Sequence, residues 1–143
     1  MKTSARNLFH GSVKSITKGE VNCEVVIAVG ASVEVVAQIT PSSLERLDLQ
    51  QGSDVYALIK ASWVILAEDL SGKFKTSARN QFCGQVVQMD KGSVNSDITL
   101  ELNGGHTISS IVTNESVQEL GLAIGSSACA LVKSSHVLLA VAD

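Results

Sequence analysis

Two identical stretches, Lys2–Asn7 and Lys75–Asn80, both read KTSARN and each set a serine, an arginine and an asparagine within a few residues. The offset that superposes them brings further polar residues into coincidence: Lys18 with Lys91, Asn22 with Asn95, Thr40 with Thr113, Ser43 with Ser116, Lys60 with Lys133 and Ser62 with Ser135. Hydroxyl, amide, ammonium and guanidinium groups are hydrogen-bond donors. No carboxylate is strictly kept, although Glu24 and Asp97 are similar. Such a set suits an anion. One Arg and one Lys give each site a formal charge of about +2, matching a tetrahedral oxydianion. Thr40 and Ser43 stand at a predicted helix start, where unpaired N–H groups favour negative charge. Ser4 and Arg6 face one side if their segment is extended. Each residue alone has a plainer reading: Thr40 as an N-cap, Arg6 as a surface cation, Lys60 as a solvated lysine, Asn22 as a turn former. Recurrence of the whole set at one offset favours shared chemistry.

The elements that position these residues are themselves duplicated. Aligned without a gap, Lys2–Ala67 and Lys75–Ala140 agree at about 26 of roughly 66 positions. The chain therefore divides into a first copy over 1–67, a linker over 68–74 and a second copy over 75–143. Units this small bury too little surface to be comfortably stable alone, so pairing between copies or between chains is expected. Each copy reads mostly as β-branched strands. Val21–Val29 and Ser32–Thr40 flank a turn at Gly30, matched by strands around Asn103-Gly104-Gly105. Val55–Lys60 and Trp63–Ala67 are expected to close each unit as a pair. Thr40 as N-cap, Pro41 at the first helical position, and Leu44 and Leu47 on one face predict a short helix, with its counterpart starting at Thr113. The expectation is a mainly β chain of two tandem OB-like Greek-key barrels, each with one short helix.

The chain has 143 residues, 45% hydrophobic, 17% charged and only 3% aromatic. Such apolarity excludes a disordered chain, and no apolar run is long enough for a membrane span. MKTSARN has no apolar signal region. A net charge of −3 with few aromatics argues against a nucleic-acid binder, which wants a basic groove and stacking rings. Cys23, Cys83 and Cys129 are odd in number and lack C-x-x-C spacing, so reduced thiols are expected. Cys23 and Cys129 read as packing residues. His10 and Cys83 occupy equivalent places and could meet across copies, but no histidine recurs and no cationic metal is expected. No repeated nucleophile, acid or base, Walker A loop or G-x-G-x-x-G appears, so catalysis is not expected.

TSARN, then G-x-V-N, then a short T-x-x-S helix, then LIKAS-W-V or LVKSS-H-V, resembles the molybdate-binding Mop (TOBE-like) domain. Two in tandem resemble the cytoplasmic molbindins, and the resemblance covers nearly the whole chain. It implies paired Mop barrels assembled as a homotrimer, with molybdate or tungstate held at interfaces. One implied class of site joins an SARN segment with a T-x-x-S helix and a lysine segment. It maps onto Ser4, Arg6, Thr40, Ser43, Lys60 and the Ala61 backbone, and onto Ser77, Arg79, Thr113, Ser116, Lys133 and the Ser134 backbone. A second implied class, on the threefold axis, maps onto Val21, Asn22, Val94 and Asn95. Trp63 opposite His136, and Glu115 inside the second helix start, depart from strict repetition.

The implied ligand fits the residues. Molybdate is a permanent dianion that only accepts hydrogen bonds, whereas hydrogen phosphate carries a proton that an all-donor site leaves unpaired, at a cost of about 1–3 kcal/mol. The reading is thus a cytoplasmic protein that stores molybdate or tungstate for molybdenum homeostasis, with no membrane or nucleic-acid partner. The alternatives are a molybdate-sensing regulatory or transport-associated module, and an OB-fold nucleic-acid binder.

Overall fold

A computed structural model describes residues 1–69 and 74–142. Most of the linker expected over 68–74 thus lies outside the described residues. The first copy runs β1 (Asn7–Lys18), β2 (Cys23–Val29), β3 (Val33–Ile39), α1 (Pro41–Arg46), β4 (Asp54–Ile59) and β5 (Ile65–Glu68). The second runs β6 (Asn80–Lys91), β7 (Asn95–Glu101), β8 (Thr107–Thr113), α2 (Asn114–Leu120), β9 (Ser127–Val132) and β10 (Leu138–Ala140). The mainly β expectation, with one short helix per copy, matches two five-stranded sheets curled as small OB-like barrels.

Helix starts fall where the sequence puts them. Thr40 caps α1 by accepting from the Ser43 N–H, and Thr113 caps α2 by accepting from that of Ser116. Long β1 and β6 each carry one register irregularity, at Val13/Ser15 and Val86/Gln88, and bend around the core. Glycine is required on both: a Cβ on Gly11 would stand 2.1 Å from the Ala28 carbonyl oxygen, and one on Gly84 2.0 Å from that of Glu101.

The closing pair is not formed within a copy. The strand order is β10-β4-β1-β2-β3 in one sheet and β5-β9-β6-β7-β8 in the other. Each copy lends its last strand to its neighbour, Leu138–Ala140 pairing with β4 and Ile65–Glu68 with β9. Strand patterning could not reveal this, because VYALIK and ACALVK present nearly the same edge. The crossing is made by 3-10 turns at Ala61–Trp63 and Ser134–His136, which lie on β8 and β3 respectively. The Ser110 hydroxyl, buried on β8, donates to the Val64 carbonyl at 2.6 Å and anchors one crossing.

The seam is apolar at its centre and polar at its rim. Phe9 and Phe82, equivalent residues, meet with ring centroids 6.1 Å apart inside one continuous core. At the rim, Asn7 donates to the Ser109 carbonyl at 2.8 Å and accepts from its N–H at 2.7 Å. Asn80 does the same to Val36, at 2.8 and 2.7 Å. Each buried amide satisfies a backbone pair on the outer strand of the other copy, which an edge strand would otherwise leave open.

The cysteine expectation is corrected. Cys83 and Cys129 face each other in register on β6 and β9 and form a disulfide, while buried Cys23 is free. Their separation in sequence, without C-x-x-C spacing, hid the pairing. His10 does not meet Cys83: it stacks on Tyr56, the equivalent of Cys129, with centroids 4.4 Å apart, and contacts Asp54 at 2.8 Å. Among the described residues no helix is long and apolar enough to cross a membrane.

Candidate functional site

Ser4 and Arg6 lie in bends before β1, not in an extended strand. The cause is local: the Thr3 hydroxyl accepts from the Ala5 N–H at 3.1 Å, and Thr76 repeats this with Ala78 at 3.3 Å. The bend swings each arginine onto the other copy. Arg6 ion-pairs with Asp97 on β7, and Arg79 with Glu24 on β2 at 2.6 Å. Both arginine side chains keep about half their surface exposed, 52% and 54%. The site is therefore not carboxylate-free. Near-repetition of Glu24 and Asp97 is the sequence signal for this, masked by the change of residue type. One Asp97 oxygen, Oδ1, is buried without a hydrogen-bond partner among the described residues.

Two equivalent open grooves lie beside these ion pairs. One, of about 330 Å³, is lined by Asn22, Gln38, Thr40, Ser43, Arg46 and, from the second copy, Ser135. The other, of about 580 Å³, is lined by Asn95, Ile111, Thr113, Ser116, Glu119 and, from the first copy, Ser62. Glu24 stands opposite Gln38 in register, and Asp97 opposite Ile111. Each arginine thus reaches a strand pair that also lines a groove. Within one chain, therefore, Thr40 and Ser43 lie with the Lys133–Ser135 segment and Arg79 side, and Thr113 and Ser116 with the Lys60–Ser62 segment and Arg6 side. The hydroxyls are already oriented in pairs: Thr40 donates to Ser43 Oγ at 3.0 Å, and Thr113 to Ser116 Oγ at 2.8 Å.

The remaining candidates are placed as follows. Lys60 and Lys133 are exposed and precede the crossing turns, Lys60 with its ammonium 5.9 Å from the Trp63 ring centre. Ala61 and Ser134 are buried at those turns. Trp63 and His136 touch each other, centroids 5.3 Å apart. Ser4 and Ser77 are exposed, as are Val21, Asn22, Val94 and Asn95 on the G-x-V-N turns.

Those two turns are built differently. Both close with a glycine N–H donating to an asparagine carbonyl, Gly19 to Asn22 at 3.0 Å and Gly92 to Asn95 at 2.8 Å. In the second copy Asn114 adds a latch: its N–H donates to the Val94 carbonyl at 2.8 Å, its amide to the Gly92 carbonyl at 2.9 Å, and Ser96 donates to its Oδ1. The equivalent residues Pro41, Gly19 and Cys23 instead line an open cavity of about 420 Å³. Proline has no N–H and no amide, so the first turn cannot be latched this way.

The TOBE domain profile matches residues 3–66 and again 76–139. The molybdenum transport protein ModE of Azotobacter vinelandii is 46% identical over 141 residues, covering 99% of this chain and 52% of its own length. The molybdenum-pterin-binding protein MopA of Rhodobacter capsulatus is 40% identical over 141 residues, covering 99% and 53%. The chain thus spans about half the length of these curated relatives. A crystal structure described as the cytoplasmic molybdate-binding protein ModG, with molybdate bound, superposes with a TM-score of 0.94 at 46% identity, over 99% of this chain and 100% of that one. The chain belongs to the TOBE-domain family and carries two TOBE domains in tandem.

Proposed function

We propose that the chain binds molybdate and holds it for storage and homeostasis in the cytoplasm, with no chemistry performed on it. The observation that carries this is the full-length match, in sequence and in fold, to a molybdate-loaded cytoplasmic ModG. The geometry supports it independently. Each groove collects two hydroxyls and an asparagine from one copy and a serine from the other, with an arginine close by. The proposed ligand groups are Ser4, Arg6, Thr40, Ser43, Lys60, Ala61 N–H, and their counterparts Ser77, Arg79, Thr113, Ser116, Lys133, Ser134 N–H. Val21, Asn22, Val94 and Asn95 form the second class. Tungstate, a tetrahedral dianion like molybdate, fits the same donors.

The assembly we propose is a homotrimer. Ile65 and Leu138, 63% and 65% exposed, are equivalent residues on the groove walls, and Val21 and Val94 are equivalent exposed residues at the turns. Apolar side chains repeated on the surface are suited to burial by another chain. Ligand held at such an interface stabilises the assembly by mass action.

Equilibrium dialysis with molybdate, paired with native mass, tests the reading. The wild type takes up oxyanion as an oligomer. Arg6→Ala weakens one set of sites about tenfold or more, the scale of a charge-assisted hydrogen bond, and spares the set served by Arg79. A monomer that takes up no molybdate overturns the proposal. A second reading, a molybdate-sensing or transport-associated module, is favoured by the match to half of a protein named for molybdenum transport. Molybdate-dependent co-purification with a DNA fragment or a transporter subunit would bring it forward.

A further inference from the structure

The two grooves share their hydroxyls and asparagine but not their charge. Arg46 lines the groove of Thr40 and Ser43, and its equivalent in the groove of Thr113 and Ser116 is Glu119. Each lies three positions after the groove serine on its helix, and so on the same face as that serine. Among the described residues neither side chain has an ion-pair or hydrogen-bond partner to neutralise it. The neighbouring arginine–carboxylate pairs contribute the same formal charge on both sides, and among the described residues lining the grooves Arg46 and Glu119 are the charged ones, so the two linings differ by two charges.

Resting on the molybdate reading above, we propose that the grooves are unequal and fill in order: Arg46 makes the Thr40–Ser43 groove the tighter oxyanion site, and Glu119 holds the Thr113–Ser116 groove as the weaker one. The dianion doubles every charge interaction. Across roughly 10 Å of water-rich surface, two unit charges of difference correspond to about a tenfold ratio in affinity, shrinking as salt screens it. A difference that came from groove size would not respond to salt, so salt dependence separates charge from shape. A pair of sites so graded would retain some oxyanion when it is scarce and take up more when it is abundant.

The experiment is calorimetric titration of the full chain with sodium molybdate at low and at high ionic strength. Ser43→Ala and Ser116→Ala assign each binding class to its groove. In the wild type the class lost in Ser43→Ala is the tighter by about tenfold at low salt, and the gap narrows at high salt. Arg46→Gln weakens that class several-fold and leaves the other alone. Glu119→Gln tightens the class assigned by Ser116→Ala by a similar factor. Wild-type titrations in both variants, or a gap indifferent to salt, overturn this inference while leaving molybdate binding intact. A wild type that binds no molybdate overturns the functional reading beneath it.

Discussion

On the seam between the two copies, equivalent residues do equivalent work. Asn7 grips Ser109 and Asn80 grips Val36 with the same geometry. Arg6 and Arg79 each reach a carboxylate of the other copy. On the outward face of the same strands, the copies part company. One register position holds the stacked rings of His10 and Tyr56 in the first barrel, and the Cys83–Cys129 disulfide in the second. Side chains that grip backbone or charge of the other copy at both ends of the seam keep their type, whereas Trp63 against His136, and Ser110 against its equivalent Ala37, show that contact between copies does not by itself fix a residue. At the outward position the two cross-strand partners change together, His10 with Tyr56 in one barrel and Cys83 with Cys129 in the other. Repetition within this chain therefore marks contact between copies at least as strongly as it marks ligand chemistry.

The largest effects should come from breaking the seam. Asn80→Ala leaves a buried N–H and a buried carbonyl of Val36 unpaired, each worth about 1–3 kcal/mol. The expected loss is about 2–4 kcal/mol in urea unfolding, and Asn7→Ala should match it within error. A loss in only one of the two would show that the seam is less symmetric than the hydrogen bonds imply.

Next in size is the outward position. The disulfide closes a loop with a sequence separation of 46, for which chain entropy gives a contribution of about 2–4 kcal/mol. Reductant should lower the stability of the wild type by that amount and leave Cys129→Ser unchanged. His10→Ala, which removes the corresponding stack in the first barrel, should lose only about 0.5–1.5 kcal/mol. Parallel denaturation curves with and without reductant would measure both, and equal losses would erase the contrast between the barrels.

Much of this was legible from residue type and spacing. Thr40 before Pro41, and Thr113 before Asn114, announced both helices because capping is a local property. The β-branched runs announced the strands. Partnership between strands was not legible. The chain's two copies of a nearly identical β4-like edge leave a strand such as Ile65–Glu68 with two equally suitable neighbours, and only the crossing turns decide. The arginine partners were half-visible: Glu24 and Asp97 stand at equivalent positions, but a change of type hid a kept charge. The Cys83–Cys129 pair was invisible for a different reason, since cross-strand opposition depends on register and not on spacing along the chain. Arg46 opposite Glu119 was in plain view in the alignment, yet carried no meaning until the groove placed both side chains on equivalent walls.

The smallest expected effect concerns the G-x-V-N turns, where the copies differ by one latch. Asn114→Pro makes the second turn like the first. It removes two donated hydrogen bonds and the acceptor for Ser96, each worth about 0.5–1.5 kcal/mol net. Against that loss, proline suits the first helical position and restricts the unfolded chain, returning about 0.4–1 kcal/mol. These bonds lie on an exposed turn and fall at the low end of that range, so global stability should fall by about 1 kcal/mol. The local consequence is larger than the global one, because the lost bonds hold a turn and not the core. In hydrogen exchange, the amides of 92–95 should be better protected than those of 19–22 in the wild type, and should fall to the same level in Asn114→Pro. The converse double change, Pro41→Asn with Cys23→Ser, supplies all three groups to the first copy and should raise protection of 19–22. Equal protection of the two turns in the wild type would mean that the Gly-to-Asn bond alone sets their rigidity, and the latch would then be a packing detail without consequence for the turn.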